Sequence, residues 1–219
     1  MTSRQFRERI RRRAKRVDVR LADEQLTALE EYVRLLARWN QKINLTALSV
    51  AEPDDEAIDR LLMEPLVAAK YLPPGPLRLI DVGSGSGSPA IPLLITVPGI
   101  SLTMVESKTR KAVFLTEVVR ALGAKATVET SRYENLLSRP DLHEGADVVT
   151  VRAVRVETRT LLSLQAFLAP AGQLFWFRSG DGKPEAAVPV PLRFNALHPL
   201  TDQARSALLV LAKEPTAGR

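Results

Sequence analysis

The feature that most constrains this chain is the stretch Leu79-Ile80-Asp81-Val82-Gly83-Ser84-Gly85-Ser86-Gly87-Ser88-Pro89-Ala90. An apolar run closes on an acid, three glycines follow at alternate positions, and a second apolar run comes next. The first run predicts a buried parallel strand, and the glycines predict a sharp turn whose backbone can come close to a ligand. The helix expected over 88–96 would aim free N–H groups back at the same spot. A strand–turn–helix unit of this kind holds something small and polar, and a nucleoside-bearing cofactor fits best.

Spacing bears on which cofactor. A dinucleotide fingerprint reads G-x-G-x-x-G/A, with a small last residue that packs helix on strand. Here the rhythm is Gly83-x-Gly85-x-Gly87, with Ser88 in the sixth place. That pattern after an acid resembles motif I of the S-adenosylmethionine methyltransferases, with a small NAD-dependent oxidoreductase as the competing reading.

The remaining pattern places this unit in an α/β chain. Leu26, Leu29, Tyr32, Val33, Leu36 and Trp39 recur at helical spacing after Asp23 and Glu24. A second helix is expected over about 54–72, kinked or split near Pro65. Pro73-Pro74-Gly75-Pro76 then marks a boundary. Beyond it, strands are expected at 77–82, 101–106, 126–129, 146–150 and 172–178, with helices at 88–96, 109–122 and 156–168 between them. This alternation predicts a doubly wound parallel sheet. Two successive strands, 191–198 and 205–212, predict an antiparallel hairpin at its edge, which is the methyltransferase variant of the architecture. The expected divisions are a basic arm (1–20), a helical segment packed on the core (21–76), a cofactor-binding domain (77–213) and a tail (214–219).

Composition removes several chemistries. The chain has no cysteine, which excludes thiolate nucleophiles, pyrimidine C5 methylation through a cysteine adduct, iron–sulfur clusters and cysteine zinc sites. His143 and His198 are far apart and lack metal-ligand spacing, so no metal is expected. No apolar run approaches a membrane span, and the Arg-rich start lacks the apolar core of a signal peptide; a cytoplasmic monomer without membrane contact is expected. The net charge of +6 is uneven. Residues 1–20 carry nine basic and two acidic side chains, so the remainder is close to neutral. A cluster including Arg11, Arg12 and Arg13 is the footprint expected for phosphate backbones, or else a solvated tail.

Ligands of such sheets bind beyond the carboxyl ends of the strands. The first strand delivers Asp81 and the glycine turn. The second ends on Glu106, a carboxylate placed to accept from ribose hydroxyls. After the third comes Ser131-Arg132-Tyr133-Glu134, where backbone and ring would hold an adenine. The fourth runs into Arg152-Ala153-Val154-Arg155. No packing requirement for a guanidinium at Arg152 is visible in the sequence, so this residue is expected to serve catalysis and to be dispensable for folding.

Taken together, Trp39-Asn40-x-x-x-Asn44-Leu45-Thr46, Asp81-Val82-Gly83-Ser84-Gly85-x-Gly87-x-Pro89 with Ile91-Pro92-Leu93, Glu106-Ser107, Phe114-Leu115 and Asp147-Val148-Val149-Thr150-x-Arg152-Ala153-Val154 resemble, in order, the bacterial small-subunit (16S) rRNA guanine-N7 methyltransferases, also called glucose-inhibited division protein B. The similarity runs from Leu26 to Lys213. It implies a class I (Rossmann-like) methyltransferase fold, mostly parallel with a C-terminal antiparallel hairpin. It also implies S-adenosylmethionine as cofactor and ribosomal RNA or the small subunit as partner. Cofactor contacts are implied at Gly83, Ser88, Tyr133, Glu134 and Arg152, and Glu106 matches the ribose-binding acid; Asp81, Gly85 and Gly87 of the glycine turn are expected to join them, and RNA contacts are expected at Arg110, Lys111 and Arg178. The chain departs from the family at Ser88-Pro89-Ala90, Arg110-Lys111, Phe177-Arg178-Ser179-Gly180 and Met63-Glu64-Pro65-Leu66, so the cofactor half of the likeness is the closer one. A non-catalytic RNA-binding or assembly protein is the other alternative.

Overall fold

A computed structural model describes residues 2–152, 157–179, 188–201 and 206–215. The N-terminal layer is helical: α1 (Ser3–Arg16), α2 (Asp23–Asn40), α3 (Asp55–Ile58) and α4 (Glu64–Ala68). Seven strands follow, β1 (Leu77–Val82), β2 (Ile100–Val105), β3 (Ala126–Glu129), β4 (Ala146–Arg152), β5 (Leu168–Ser179), β6 (Leu192–Thr201) and β7 (Ser206–Lys213). Between them lie α5 (Ala90–Thr96), α6 (Thr109–Ala121) and α7 (Thr158–Leu164). The strands form one sheet in the order β3-β2-β1-β4-β5-β7-β6. The first five are mutually parallel, and β7 enters antiparallel between β5 and β6.

The central strands are mostly apolar because both faces of the sheet are covered there, so successive side chains enter different cores. Leu77, Leu79, Leu102, Met104 and Val148 join the core under the N-terminal helices, α5 and α6. Ile80, Val82, Val105, Val149 and Val151 join the opposite core with Leu161, Leu164 and Phe167.

The basic segment 1–20 is mostly helix and continues the N-terminal layer. Thr2 and Gln5 close a capping box at its start, with Gln5 N–H to Thr2 Oγ1 at 3.3 Å and Thr2 N–H to Gln5 Oε1 at 2.8 Å. Phe6, Ile10 and Ala14 lie one turn apart and are buried in the core. A helix this charged packs because acids on its neighbours meet its flanks: Arg7 pairs with Glu30, Arg11 with Asp23, Arg9 with Asp55, and Arg13 with Asp55 and Asp59.

The helix expected over 54–72 is broken into pieces. Asp54 caps α3 by accepting from Ala57 N–H at 2.7 Å. Asp59–Met63 is a π turn, Glu64–Ala68 resumes the α-helix with Pro65 in its first turn, and Ala69–Tyr71 tightens to 3-10. Leu61 to Ala68 are all buried, so this piece shows no amphipathic stripe.

Candidate functional site

The glycine turn sits at the carboxyl end of β1. Gly83 N–H and Ser84 N–H both donate to Val105 O, at 2.9 and 3.2 Å, which ties the turn to the end of β2. Gly83, Gly85 and Gly87 all have positive φ, the conformation that glycine alone adopts without strain. They do different work. A Cβ on Gly85 would meet nothing nearer than Gly83 O at 3.6 Å, so this glycine faces open space. A Cβ on Gly87 would come within 2.9 Å of Ile91 Cγ1, 3.3 Å of Leu115 Cδ2 and 3.4 Å of Tyr32 Cε2. Gly87, expected as a cofactor contact, is instead buried where α2, α5 and α6 converge. Tyr32 props the turn as well, donating its hydroxyl to Ser86 O at 2.9 Å. Burial raises the pKa of that phenol far above the ordinary value, so it acts as a donor.

The expected helix N-terminus does not supply an anion cradle. α5 begins only at Ala90 and has seven residues. Pro89 and Pro92 have no N–H to offer, and Ile91 N–H is taken by Gly87 O at 2.7 Å.

Two carboxylates flank the turn. Glu106, just beyond β2, accepts Gly85 N–H at 2.9 Å on Oε2 and Lys108 N–H at 2.8 Å on Oε1. Both oxygens are thereby fixed while keeping acceptor capacity. Asp81 is buried on β1 and accepts from Thr150 Oγ1 at 2.6 Å through Oδ1, whereas its Oδ2 has no hydrogen-bond partner. Burial raises the Asp81 pKa, against the hydrogen bonds that lower it. Tyr133 and Glu134 lie across a smaller depression of about 170 Å³, with Val82, Gly83, Val105 and Ser107 on its other walls.

Arg152, at the end of β4, is the most heavily engaged residue of the site. Its guanidinium donates to Arg60 O, to Ser88 Oγ at 3.3 Å and to Glu64 Oε2, and it lies 4.6 Å above the Phe177 ring. Burial pulls its pKa down while Glu64 opposes this. Glu64 is itself only 2% exposed, and its Oε1 has no partner. The π turn explains the arrangement. Glu64 N–H bonds Asp59 O, five residues back, leaving the Arg60 carbonyl free. Pro65 has no N–H for the Leu61 carbonyl. Arg152 takes the first of these carbonyls, and Ser88 Oγ takes the second at 3.0 Å. The expectation that Arg152 is dispensable for folding is therefore corrected: it neutralises a buried acid and ties β4 to the N-terminal layer.

These groups open on a cleft of about 650 Å³. Gly83 to Ser86, Ser88, Glu106 and Arg152 form one wall, while Leu45 to Leu48, Glu56, Arg60 and Trp176 to Ser179 complete its rim. Asn40 shapes one side of the rim, accepting Leu45 and Thr46 N–H at 2.9 and 3.0 Å and donating to Thr46 O at 3.1 Å. Trp39 anchors the same corner through Glu117 at 2.9 Å and an edge contact with Phe114. Of the residues expected to meet RNA, Lys111 and Arg178 line the cleft, with Arg178 4.9 Å from the Trp176 ring. Arg110 is exposed on α6 beside it. Arg12 is exposed on α1, and Arg11 is exposed but paired with Asp23. Arg13 is corrected: it is buried and grips Asp59 through two bonds of 2.9 and 2.6 Å, unavailable to RNA. Ala153, Val154, Arg155 and Gly180 lie outside the described residues.

Sequence reasoning missed Glu64, Tyr32 as a prop of the turn, and the rim residues Arg60, Trp176 and Phe177. The one usable signal was Pro65, whose missing N–H frees a carbonyl four residues earlier. Among the described residues no cluster of acids and histidines forms a metal site, and no helix is long and apolar enough to cross a membrane.

Residues 25–188 match the family described as GidB, rRNA small subunit methyltransferase G. A protein named ribosomal RNA small subunit methyltransferase G from Roseiflexus castenholzii is 37% identical over 163 residues, covering 70% of this chain and 68% of that protein. One of the same name from Syntrophotalea carbinolica is 32% identical over 195 residues, covering 84% and 87%. Among solved structures, a SAM dependent methyltransferase from Aquifex aeolicus superposes with a TM-score of 0.53 at 14% identity, covering 73% of this chain and 93% of that one. A mutant of MtNAS in complex with S-adenosylmethionine superposes with a TM-score of 0.59 at 15% identity, covering 86% and 76%. At these identities the structures speak to the fold, which is that of the class I methyltransferases.

Proposed function

Because the chain belongs to the rRNA small subunit methyltransferase G family, we propose that it transfers the methyl group of S-adenosylmethionine to N7 of a guanine in 16S ribosomal RNA. The observation that carries this reading is the wall formed by the glycine turn, Glu106 and Arg152 along one edge of a cleft whose rim is cationic.

The donor set fits the cofactor. S-adenosylmethionine offers ribose hydroxyls, an ammonium, a carboxylate and an adenine, and it supplies an electrophilic methyl group on a sulfonium. Glu106, pre-oriented by two backbone amides, is suited to the ribose hydroxyls. Open space at Gly85 lets the ligand approach the backbone. Asp81, behind the glycine turn, keeps a buried oxygen without a donor. The depression at Tyr133 and Glu134 meets the main cleft at Gly83 and suits the adenine.

Guanine N7 is a neutral lone-pair nucleophile with no proton to lose, so the transfer needs no general base. The protein's contribution is then alignment and exclusion of water. Arg152 is held by Glu64, Arg60 and Ser88 in one orientation, and the N–H groups these bonds leave over can meet a carboxylate or a guanine edge. Arg60, Lys111 and Arg178 around the mouth suit the RNA backbone.

The test is product analysis. Purified protein, small-subunit RNA and methyl-labelled S-adenosylmethionine are incubated and the RNA is digested to nucleosides. The label is expected in 7-methylguanosine. Label in any other nucleoside overturns the N7 assignment.

A further inference from the structure

The arginine-rich first helix is half used up by the protein itself. Of the nine basic residues in 1–20, five have acid partners: Arg4 with Glu8, Arg7 with Glu30, Arg9 with Asp55, Arg11 with Asp23, and Arg13 with Asp55 and Asp59. The other four are Arg12, Lys15, Arg16 and Arg20. All four are exposed, and none makes an ion pair among the described residues.

Their placement is not scattered. Lys15 and Arg16 lie three and four residues after Arg12, so both neighbour it on the outward side of α1, with Cβ atoms roughly 5–6 Å from its own. The buried residues Phe6, Ile10 and Ala14 occupy the other side of the same helix. Like charges at this spacing repel one another, and no acid among the described residues pairs with them. Arg20 follows past the helix end, where it lines a groove of about 280 Å³ with Val19, Leu21 and Leu66 and with the Lys70–Asp18 pair at its margin. A row of uncompensated cations is complementary to a polyanion, and these long side chains reach several successive phosphates.

We propose that Arg12, Lys15, Arg16 and Arg20 form a docking strip for the phosphate backbone of ribosomal RNA, outside the methyl-transfer cleft. Arg4, Arg7 and Arg11, on the same helix, contribute little to it because acids of the chain already neutralise them. The strip rests on the reading of the chain as an rRNA methyltransferase. It adds a second point of attachment that holds the RNA while the cleft engages the target base.

Two variants of the full chain with equal charge loss separate the alternatives. One is Arg12→Gln/Lys15→Gln/Arg16→Gln, and the control is Arg4→Gln/Arg7→Gln/Arg11→Gln. Binding to small-subunit RNA is measured against salt concentration, with adenosylmethionine binding as the check that each variant is folded. Every phosphate that the protein no longer neutralises should flatten the log–log salt slope by roughly 0.7–0.9, so the slope is expected to fall by about two to three in the strip variant and by less than one in the control. An unchanged slope in the strip variant, or equal changes in both, overturns the strip. If wild-type protein methylates the RNA while the strip variant keeps its slope, only the strip fails. If wild-type protein transfers no methyl to the RNA at all, the reading beneath it fails too.

Discussion

Replacing Arg152 with methionine separates its structural work from its chemical work. The substitution removes the charge partner of Glu64, a carboxylate with 3% of its side chain exposed and one oxygen already lacking a donor. The Arg60 carbonyl and the Ser88 hydroxyl lose a donor as well. Leaving one member of a buried pair uncompensated typically costs about 3–5 kcal/mol. For a chain of this length each kcal/mol moves the melting temperature by roughly 2–4 °C, so Arg152→Met should melt about 6–20 °C below wild type. Adding Glu64→Gln removes the stranded charge, and the double variant Arg152→Met/Glu64→Gln should regain about 1–3 kcal/mol, the usual scale of coupling between contacting groups. Methyl transfer should stay lost in both, because neither restores a cation to the cleft. Urea and thermal unfolding followed by circular dichroism, with transfer assays on the same samples, give the answer. An Arg152→Met protein as stable as wild type, or a double variant no more stable than the single one, would refute the account of the buried pair.

Three further outcomes follow from the same geometry. Gly87→Ala should destabilise the fold by about 2–5 kcal/mol, combining overpacking against Ile91 with a left-handed backbone, whereas Gly85→Ala should cost only about 1–2 kcal/mol; equal melting temperatures for the two would show that Gly87 is not a packing residue. Glu106→Ala should weaken adenosylmethionine binding by roughly ten- to a hundredfold, the loss of about 1.5–3 kcal/mol from a charged hydrogen-bond acceptor, and unchanged calorimetric affinity would remove Glu106 from the cofactor site. His198 stacks on Tyr71 with ring centroids 3.6 Å apart, and burial lowers its pKa. As pH falls below about 6.5 the unfolded chain therefore takes up a proton that the native state resists, and stability declines through the lowered native pKa. His198→Phe should lose less urea resistance than wild type between about pH 7.5 and about pH 5.5, and identical losses would speak against the shift.

Much of this was legible in the residues because the relevant patterns are local. β1 could be placed because a mostly apolar run leads straight into the glycine turn, and Glu106 because a carboxylate closing the next strand falls at the mouth of that turn. The parts that were not legible depend on distant partners. The π turn at Asp59–Met63 inserts a residue into the helical rhythm, so Glu64 turns inward where a regular helix gives no warning. In an arginine-rich segment, the side that packs is decided by Asp55 and Asp59, far along the chain, and this takes Arg13 out of the RNA-facing set. Gly87 resembles a ligand cradle in sequence; only Tyr32, Ile91 and Leu115 converging on it reveal a packing role. The absence of an anion site at α5 was readable in principle, since Pro89 and Pro92 announce the missing N–H groups.

Whether this cleft makes a cationic N7-methylguanine in small-subunit RNA is read by chemical mapping of N7-methylguanine in 16S rRNA from cells with the gene, without it, and complemented with wild-type or Glu106→Ala protein. One guanine should lose its N7 methyl group on deletion, regain it with the wild-type protein, and regain it poorly with the Glu106 variant. An N7-methylguanine pattern that is the same with and without the gene would rule out N7 methylation of this RNA by the protein.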